Sequence, residues 1–313
     1  MNEGNLVAIT AQQVLMMFLL ILTGYLAVRG RLLNAEARQG FSSLLVNLVV
    51  PAMIINSYLI EFDPEILSNL VRTAFASAAV LVIGLCIALL STRKKTGPDQ
   101  PILRFAMTFS NAGYMGFPLI NALFGAEGML YASIFNTFFN LLIWTAGIAL
   151  VDRSSGAAKR NLVVELIKKP ALLAVAVGLV LYLGQIPIPY LIAQPISLLA
   201  GMNTPLSMLI TGIIIATSDL RPVIRSFQLW HAILIRMLII PAASFLFCLL
   251  TGTGSMVGAV VILLEACPCA ALTSVLAIQY RYSEQLAAGL VVLSTLLSIV
   301  TLPLCAMFVQ MMG

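Results

Sequence analysis

Ser110-Asn111-Ala112-Gly113-Tyr114-Met115-Gly116-Phe117-Pro118 sits in the middle of an apolar run over 103–125. A run of that length reads as a membrane crossing, since about 20 apolar residues span the hydrocarbon core as a helix. Two glycines, an asparagine and a proline in one short stretch weaken the helix, because glycine loosens the backbone and proline removes a donor. In lipid the freed backbone groups need partners, so irregular backbone survives only where it is buried in protein or lines a wet cavity. Pro118 is suited to open a second half-helix, where its missing N–H would be unpaired in any case. The stretch predicts a broken span.

Outward from this break the chain stays apolar. Of 313 residues, 61% are hydrophobic and 9% charged, and the mean hydropathy is +1.04. A soluble chain carries about a quarter charged residues, so a water-soluble enzyme is excluded. The lone His231 leaves Ser/His or multi-His catalysis little to work with. Recurrent apolar runs predict an all-α membrane protein of ten spans: 8–28, 40–60, 70–90, 103–125, 129–151, 170–184, 195–217, 228–250, 256–278 and 286–310. The five cysteines fall inside these runs and imply neither a disulfide framework nor a redox compartment. No basic residue precedes the first span, so that span is read as retained rather than as a cleaved signal.

Charge sets the orientation. The loops after the odd-numbered spans hold Arg29, Arg31, Arg38, Arg93, Lys94, Lys95, Arg104, Arg153, Lys159, Arg160, Lys168, Lys169, Arg221, Arg225 and Arg281, fifteen of the 17 basic residues. Opposite loops hold only Arg72, and Arg236 lies within a span. Positive-inside asymmetry then puts both termini outside, in a plasma membrane of bacterial inner-membrane type. The sequence pI of about 9.1 reflects this topology rather than a nucleic-acid partner.

With both termini on one side, the two five-span halves run in opposite senses. Ser43-Leu44-Leu45 precedes Pro51 as Ser197-Leu198-Leu199 precedes Pro205, and the fourth and ninth spans carry central prolines, Pro118 and Pro268. These matches in order predict an inverted five-plus-five repeat. The ninth span reads Leu264-Glu265-Ala266-Cys267-Pro268-Cys269-Ala270-Ala271. One kink alone reads as packing. Two at equivalent places put half-helix N-termini at the bilayer midplane, where their dipoles and free N–H groups attract an anion.

Asn111-Ala-Gly-Tyr-Met-Gly-Phe-Pro118 resembles the fourth-span motif of the auxin efflux carrier family. Pro205-Leu-Ser-Met-Leu-Ile-Thr-Gly212 resembles its seventh span, Ala266-Cys-Pro268 and Leu276-Ala-Ile-Gln-Tyr280 its ninth, and Leu293-Ser-Thr-Leu-Leu-Ser-Ile-Val-Thr-Leu-Pro303 its tenth. The likeness covers nearly the whole chain, with a middle loop of only about Asp152–Lys169, as in short bacterial and archaeal members. The resemblance implies a scaffold of spans one, two, six and seven (8–60 and 170–217). Beside it lies a mobile crossover domain (70–151 and 228–310), with 152–169 as a cytoplasmic loop. It also implies that Asn111 contacts the substrate carboxylate and that two copies pair through the scaffold. The candidate substrate site is Asn111, Gly113, Gly116, Pro118, Cys267 and Pro268, with Pro51, Pro205, Asn136 and Asn140 as candidate cavity lining.

Two charges are buried by position. Glu265 lies about 13 Å and Arg236 about 12 Å into their spans, at a rise of roughly 1.5 Å per residue. An isolated carboxylate at that depth must be protonated, paired or bound to a cation. The readings are proton coupling through Glu265 or a structural Glu265–Arg236 ion pair, and the arginine fork could also hold an anion. Cys267-Pro268-Cys269 has the form of a soft-metal site in copper-transporting ATPases. No phosphorylation domain, nucleotide loop or Met-rich loop accompanies it, so neither metal nor cofactor is expected. Asn136 and Asn140 share a face of the fifth span. Trp230 and His231 read as an interfacial anchor.

The expected function is secondary transport of small organic carboxylates, of malate, malonate or auxin-like type, by alternating access with proton or sodium coupling. The alternatives are a ligand-binding membrane sensor on the same fold and a sodium-coupled symporter of the bile acid type. The second needs a cluster of oxygen ligands, of which only Glu265 is evident.

Overall fold

In the computed structural model, residues 6–34, 36–93, 97–152, 170–253 and 255–311 are described. The loop at 153–169, where five basic residues were counted, lies outside them, as do Lys94 and Lys95. The described elements are helical: α1 Leu6–Arg29, α2 37–57, α3 Pro64–Ser91, α4 Gln100–Thr108, α5 112–124, α6 126–151, α7 Pro170–Leu183, α8 Tyr190–Thr217, α9 Phe227–Thr251, α10 Ser255–Ala266, α11 Leu272–Gln279 and α12 Glu284–Gln310. Local chemistry sets several ends. The Asp63 carboxylate accepts from the Glu65 amide at 2.7 Å just before Pro64, and the Ser283 hydroxyl caps α12 at the Leu286 amide. Gly252 closes α9 at φ 59°, and Gly125 at φ 59° separates α5 from α6.

Among the described residues seven helices are long and apolar enough to cross a membrane, against the ten spans read from the sequence. The difference has a physical origin. Spans four and nine are each split into two short helices, the described part of the sixth is 14 residues, and α5 runs into α6 as one 40-residue apolar stretch. About 20 residues suffice for one crossing, so that stretch turns back at Gly125 rather than continuing.

The two splits meet. Asn111 donates its amide to the Pro268 carbonyl at 2.7 Å and Ala270 donates to Phe109 at 2.9 Å, an antiparallel bridge centred on Ser110 and Cys269. Each extended segment supplies the partners that the other lost by leaving the helix. The prolines do not hold matching places, as their spacing had suggested. Pro268 lies in the bridge itself. Pro118 comes seven residues past Asn111, just after a π turn at Ala112–Gly116. The wider turn relieves the clash of its ring with the carbonyl four residues back.

Around the bridge, α3, α4, α5, α6 and α10 pack a continuous core that includes Val80, Phe105, Phe117, Phe135, Val260 and Leu264. Outside it, α1 lies along the second half of α8. Contact there is backbone to backbone: a Cβ at Gly24 would sit 2.5 Å from the Leu209 carbonyl oxygen, and one at Gly212 2.7 Å from the Tyr25 nitrogen. Small residues allow this approach, which replaces hydrophobic drive as the cohesion between helices in lipid. The helices α2 and α7 also pack together, and there Gly178 makes room for the ring of Tyr58, just past the end of α2. Exposed Leu19, Phe75, Val180 and Leu250 cover outward faces, as lipid contact requires.

Candidate functional site

The bridge leaves one face open. A cavity of about 290 Å³ lies between it, α6 and the group α2, α7 and α8. Ser110, Asn111, Asn136, Asn140 and Ser42 supply its polar groups, while Val46, Phe139, Ile143, Ile214, Leu272 and Val275 supply apolar wall. Among the described residues that line it there is no Asp, Glu, Lys, Arg or His. Asn111 is 5% exposed, and its side-chain Nδ2 has no hydrogen-bond partner among the described residues. Ser110 Oγ is in the same state. A buried amide donor without a partner costs about 1–3 kcal/mol unless a ligand or water meets it. Nothing lies within 4 Å of a Cβ built on Gly113, which therefore faces open space.

The lining is built by irregular helix. Three π turns, Leu45–Val49, Ala112–Gly116 and Ile143–Gly147, contain Val46, then Gly113 and Tyr114, then Ile143 and Trp144, all of which line the cavity. A π turn adds a residue and rotates the face that follows, a device common at functional sites. Gly147 permits it in α6, because a Cβ there would sit 2.9 Å from the Phe109 ring. The N-terminal ends of α5 and α11 point their positive dipole ends at the same space, through Gly113 and Leu272.

Of the sequence candidates, Asn111, Gly113, Asn136 and Asn140 come together on the cavity, with Asn140 Nδ2 donating to the Asn136 carbonyl at 2.8 Å. Gly116, Pro118, Cys267, Pro268, Pro51 and Pro205 do not line it. Gly116 instead packs against Leu264 and the Cys267 sulfur, and Cys267 donates to the Leu263 carbonyl. Ser42, Val46 and Ile214 take the places on α2 and α8 that the prolines were expected to fill. Trp144, Ser42 and Tyr114 were not singled out from sequence. Trp144 was findable, since it continues the four-residue spacing of Asn136 and Asn140.

Arg236 and Glu265 form a fully buried ion pair, Nη2 to Oε2 at 2.5 Å, away from the cavity lining. The same guanidinium donates to the Met107 and Thr108 carbonyls, at 3.1 and 2.9 Å, and to the Glu265 carbonyl. A fourth π turn, Ile235–Ile239, carries Arg236 inward. At the far end of α2 the helix groups are tied together. Tyr58 and Ser133 share a hydrogen bond of 2.8 Å, and Tyr182 bonds both backbone groups of Asp63 at 3.1 Å.

Comparison with known proteins gives one family and several relatives. Residues 9–306 match a family described as membrane transport protein. An uncharacterized transporter of Methanothermobacter thermautotrophicus is 26% identical over 298 residues, covering 94% of this chain and 97% of its own. An uncharacterized transporter of Methanocaldococcus jannaschii is 21% identical over 93% of this chain and 96% of its own. A protein of Rhizobium meliloti named "putative malonate transporter" is 25% identical over 92% of each chain.

Proposed function

The chain belongs to the membrane transport protein family, that of the auxin efflux carriers, and from this premise we propose that it is a secondary carrier of small organic carboxylate anions working by alternating access. The observation that carries the reading is the cavity at the Ser110–Cys269 bridge, where an unpartnered buried amide and two half-helix N-termini converge. Neutral donors and dipole ends can hold a carboxylate without a fixed counter-charge.

In this reading the chain crosses the membrane ten times in two inverted five-helix halves. Support comes from the pairing of α1 with α8 and of α7 with α2, which exchange places when the halves are interchanged. The scaffold is then α1, α2, α7 and α8, and the remaining helices form the moving part. With the basic loops inside and both termini outside, the cavity opens to the cytoplasm. Its lining residues Ser42, Ile214 and Val275 stand near the span ends that lead to Arg38, Arg221 and Arg281. Two copies associating through the scaffold belong to the same proposal.

The malonate in one relative's name supports a small carboxylate. The described lining pairs neutral polar groups with apolar wall, which suits a carboxylate on a small apolar body. Uptake of labelled mono- and dicarboxylates into vesicles reconstituted with the purified protein, with and without imposed pH or sodium gradients, tests this directly. Saturable uptake of at least one carboxylate is expected. Binding without transfer of any of them would identify a sensor instead.

A further inference from the structure

Half-helix C-termini at a helix break carry unpaired carbonyls and the negative ends of two dipoles, and carriers with broken helices use such ends to hold a coupling cation. Here those ends are already occupied. The Arg236 fork takes the last two carbonyls of α4 from Met107 and Thr108, and it takes both the carbonyl and the carboxylate of Glu265 near the end of α10. Four oxygen acceptors from two half-helices surround one buried positive charge, the kind of oxygen set a hard cation would draw. A π turn in α9 supplies that charge. Cohesion of α9 with the crossing therefore depends on a charge fixed to the chain rather than on one taken from solution.

We infer that Arg236 is a tethered cation: it stands where a sodium ion would bind at the crossing, and it makes the crossing independent of sodium. Arg236 is a positioning residue, acting through the C-terminal ends of α4 and α10, which lead into the bridged segments at Ser110 and Ala270 that border the cavity. Glu265 is its counter-charge, through the ion pair at 2.5 Å. The inference deepens the carrier reading, but it can be tested without substrate or transport, so either can fail alone.

The test is the melting temperature of purified protein in sodium, choline and methylguanidinium chloride at matched ionic strength. The wild type should be indifferent to the exchange. Arg236→Ala should lose about 5–15 °C, by stranding a buried carboxylate, and should recover saturably in sodium or methylguanidinium but not in choline. Recovery should vanish in Arg236→Ala/Glu265→Gln, which has no charge left to neutralise. A saturable sodium-dependent rise in the wild type would overturn the inference, as would a folded Arg236→Ala that no small cation restores. Should Arg236→Ala give no folded protein, the wild type and Arg236→Lys decide. Both should be indifferent to sodium, and a sodium-dependent rise in either one rejects the tethered cation.

Discussion

The amide of Asn111 is held by the carbonyl of Pro268 at 2.7 Å, so one broken span fixes the backbone of the other and leaves the Asn111 side chain to the cavity. Backbone and side chain of one residue thus do separate jobs. The first prevents unpaired amide in lipid, and the second is available to a ligand.

That separation makes Asn111→Ala informative. The side-chain Nδ2 has no partner among the described residues to lose, so the melting temperature should stay within about 2 °C of wild type. Carboxylate uptake should fall about 10- to 100-fold, the loss of one hydrogen bond to a charged group. Wild-type uptake by the variant would remove Asn111 from the substrate site.

Two glycine substitutions should act oppositely. Gly24→Ala drives a Cβ against the Leu209 carbonyl and forces α1 off α8, with a cost of about 1–3 kcal/mol and a lower yield of folded protein. Gly113→Ala meets no atom within 4 Å, so its stability should be near wild type while its methyl group narrows the cavity and selects against larger carboxylates. Melting curves and uptake across a size series separate the two.

Tyr58→Phe deletes the hydroxyl that bonds Ser133 across the end of the molecule away from the cavity. The loss is about 1 kcal/mol, or about a five-fold shift toward the state open on that side. A single cysteine at position 113 in a cysteine-free background should then label faster with an impermeant thiol reagent from the Tyr58 side. Unchanged labelling would mean that this bond does not hold that side shut.

Replacing Cys267 and Cys269 together by Ala should leave carboxylate uptake within about three-fold of wild type, at a cost of about 1–2 kcal/mol in packing near Gly116. Elemental analysis of the purified protein checks the chemistry. Stoichiometric metal in the wild type that disappears in the variant, together with loss of uptake, would give these thiols a ligand role.

Most of what the sequence determined follows from solvent. Lipid forbids unpaired backbone and isolated charge, so recurrent apolar runs marked a helical membrane chain, the Gly/Asn/Pro cluster at 110–118 marked a break, and Glu265 and Arg236 announced themselves as buried charges needing an answer. The family was legible for the same reason, because residues that build a broken helix are few and ordered. What the sequence left open was every question of partner. Ion pair and proton site were both consistent with Glu265, and only the fold brings Arg236 within 2.5 Å of it. Prolines at a similar spacing looked equivalent, yet only the antiparallel bridge shows that Pro268 lies in the crossing and Pro118 beyond it. The π turns that aim Val46, Tyr114, Trp144 and Arg236 have no reliable local signature. One extra residue per turn is nearly neutral in propensity, and its cost is recovered only by tertiary contacts such as Gly147 against Phe109. Local residue chemistry fixes where a helix can fail, while packing between distant segments fixes what the failure faces.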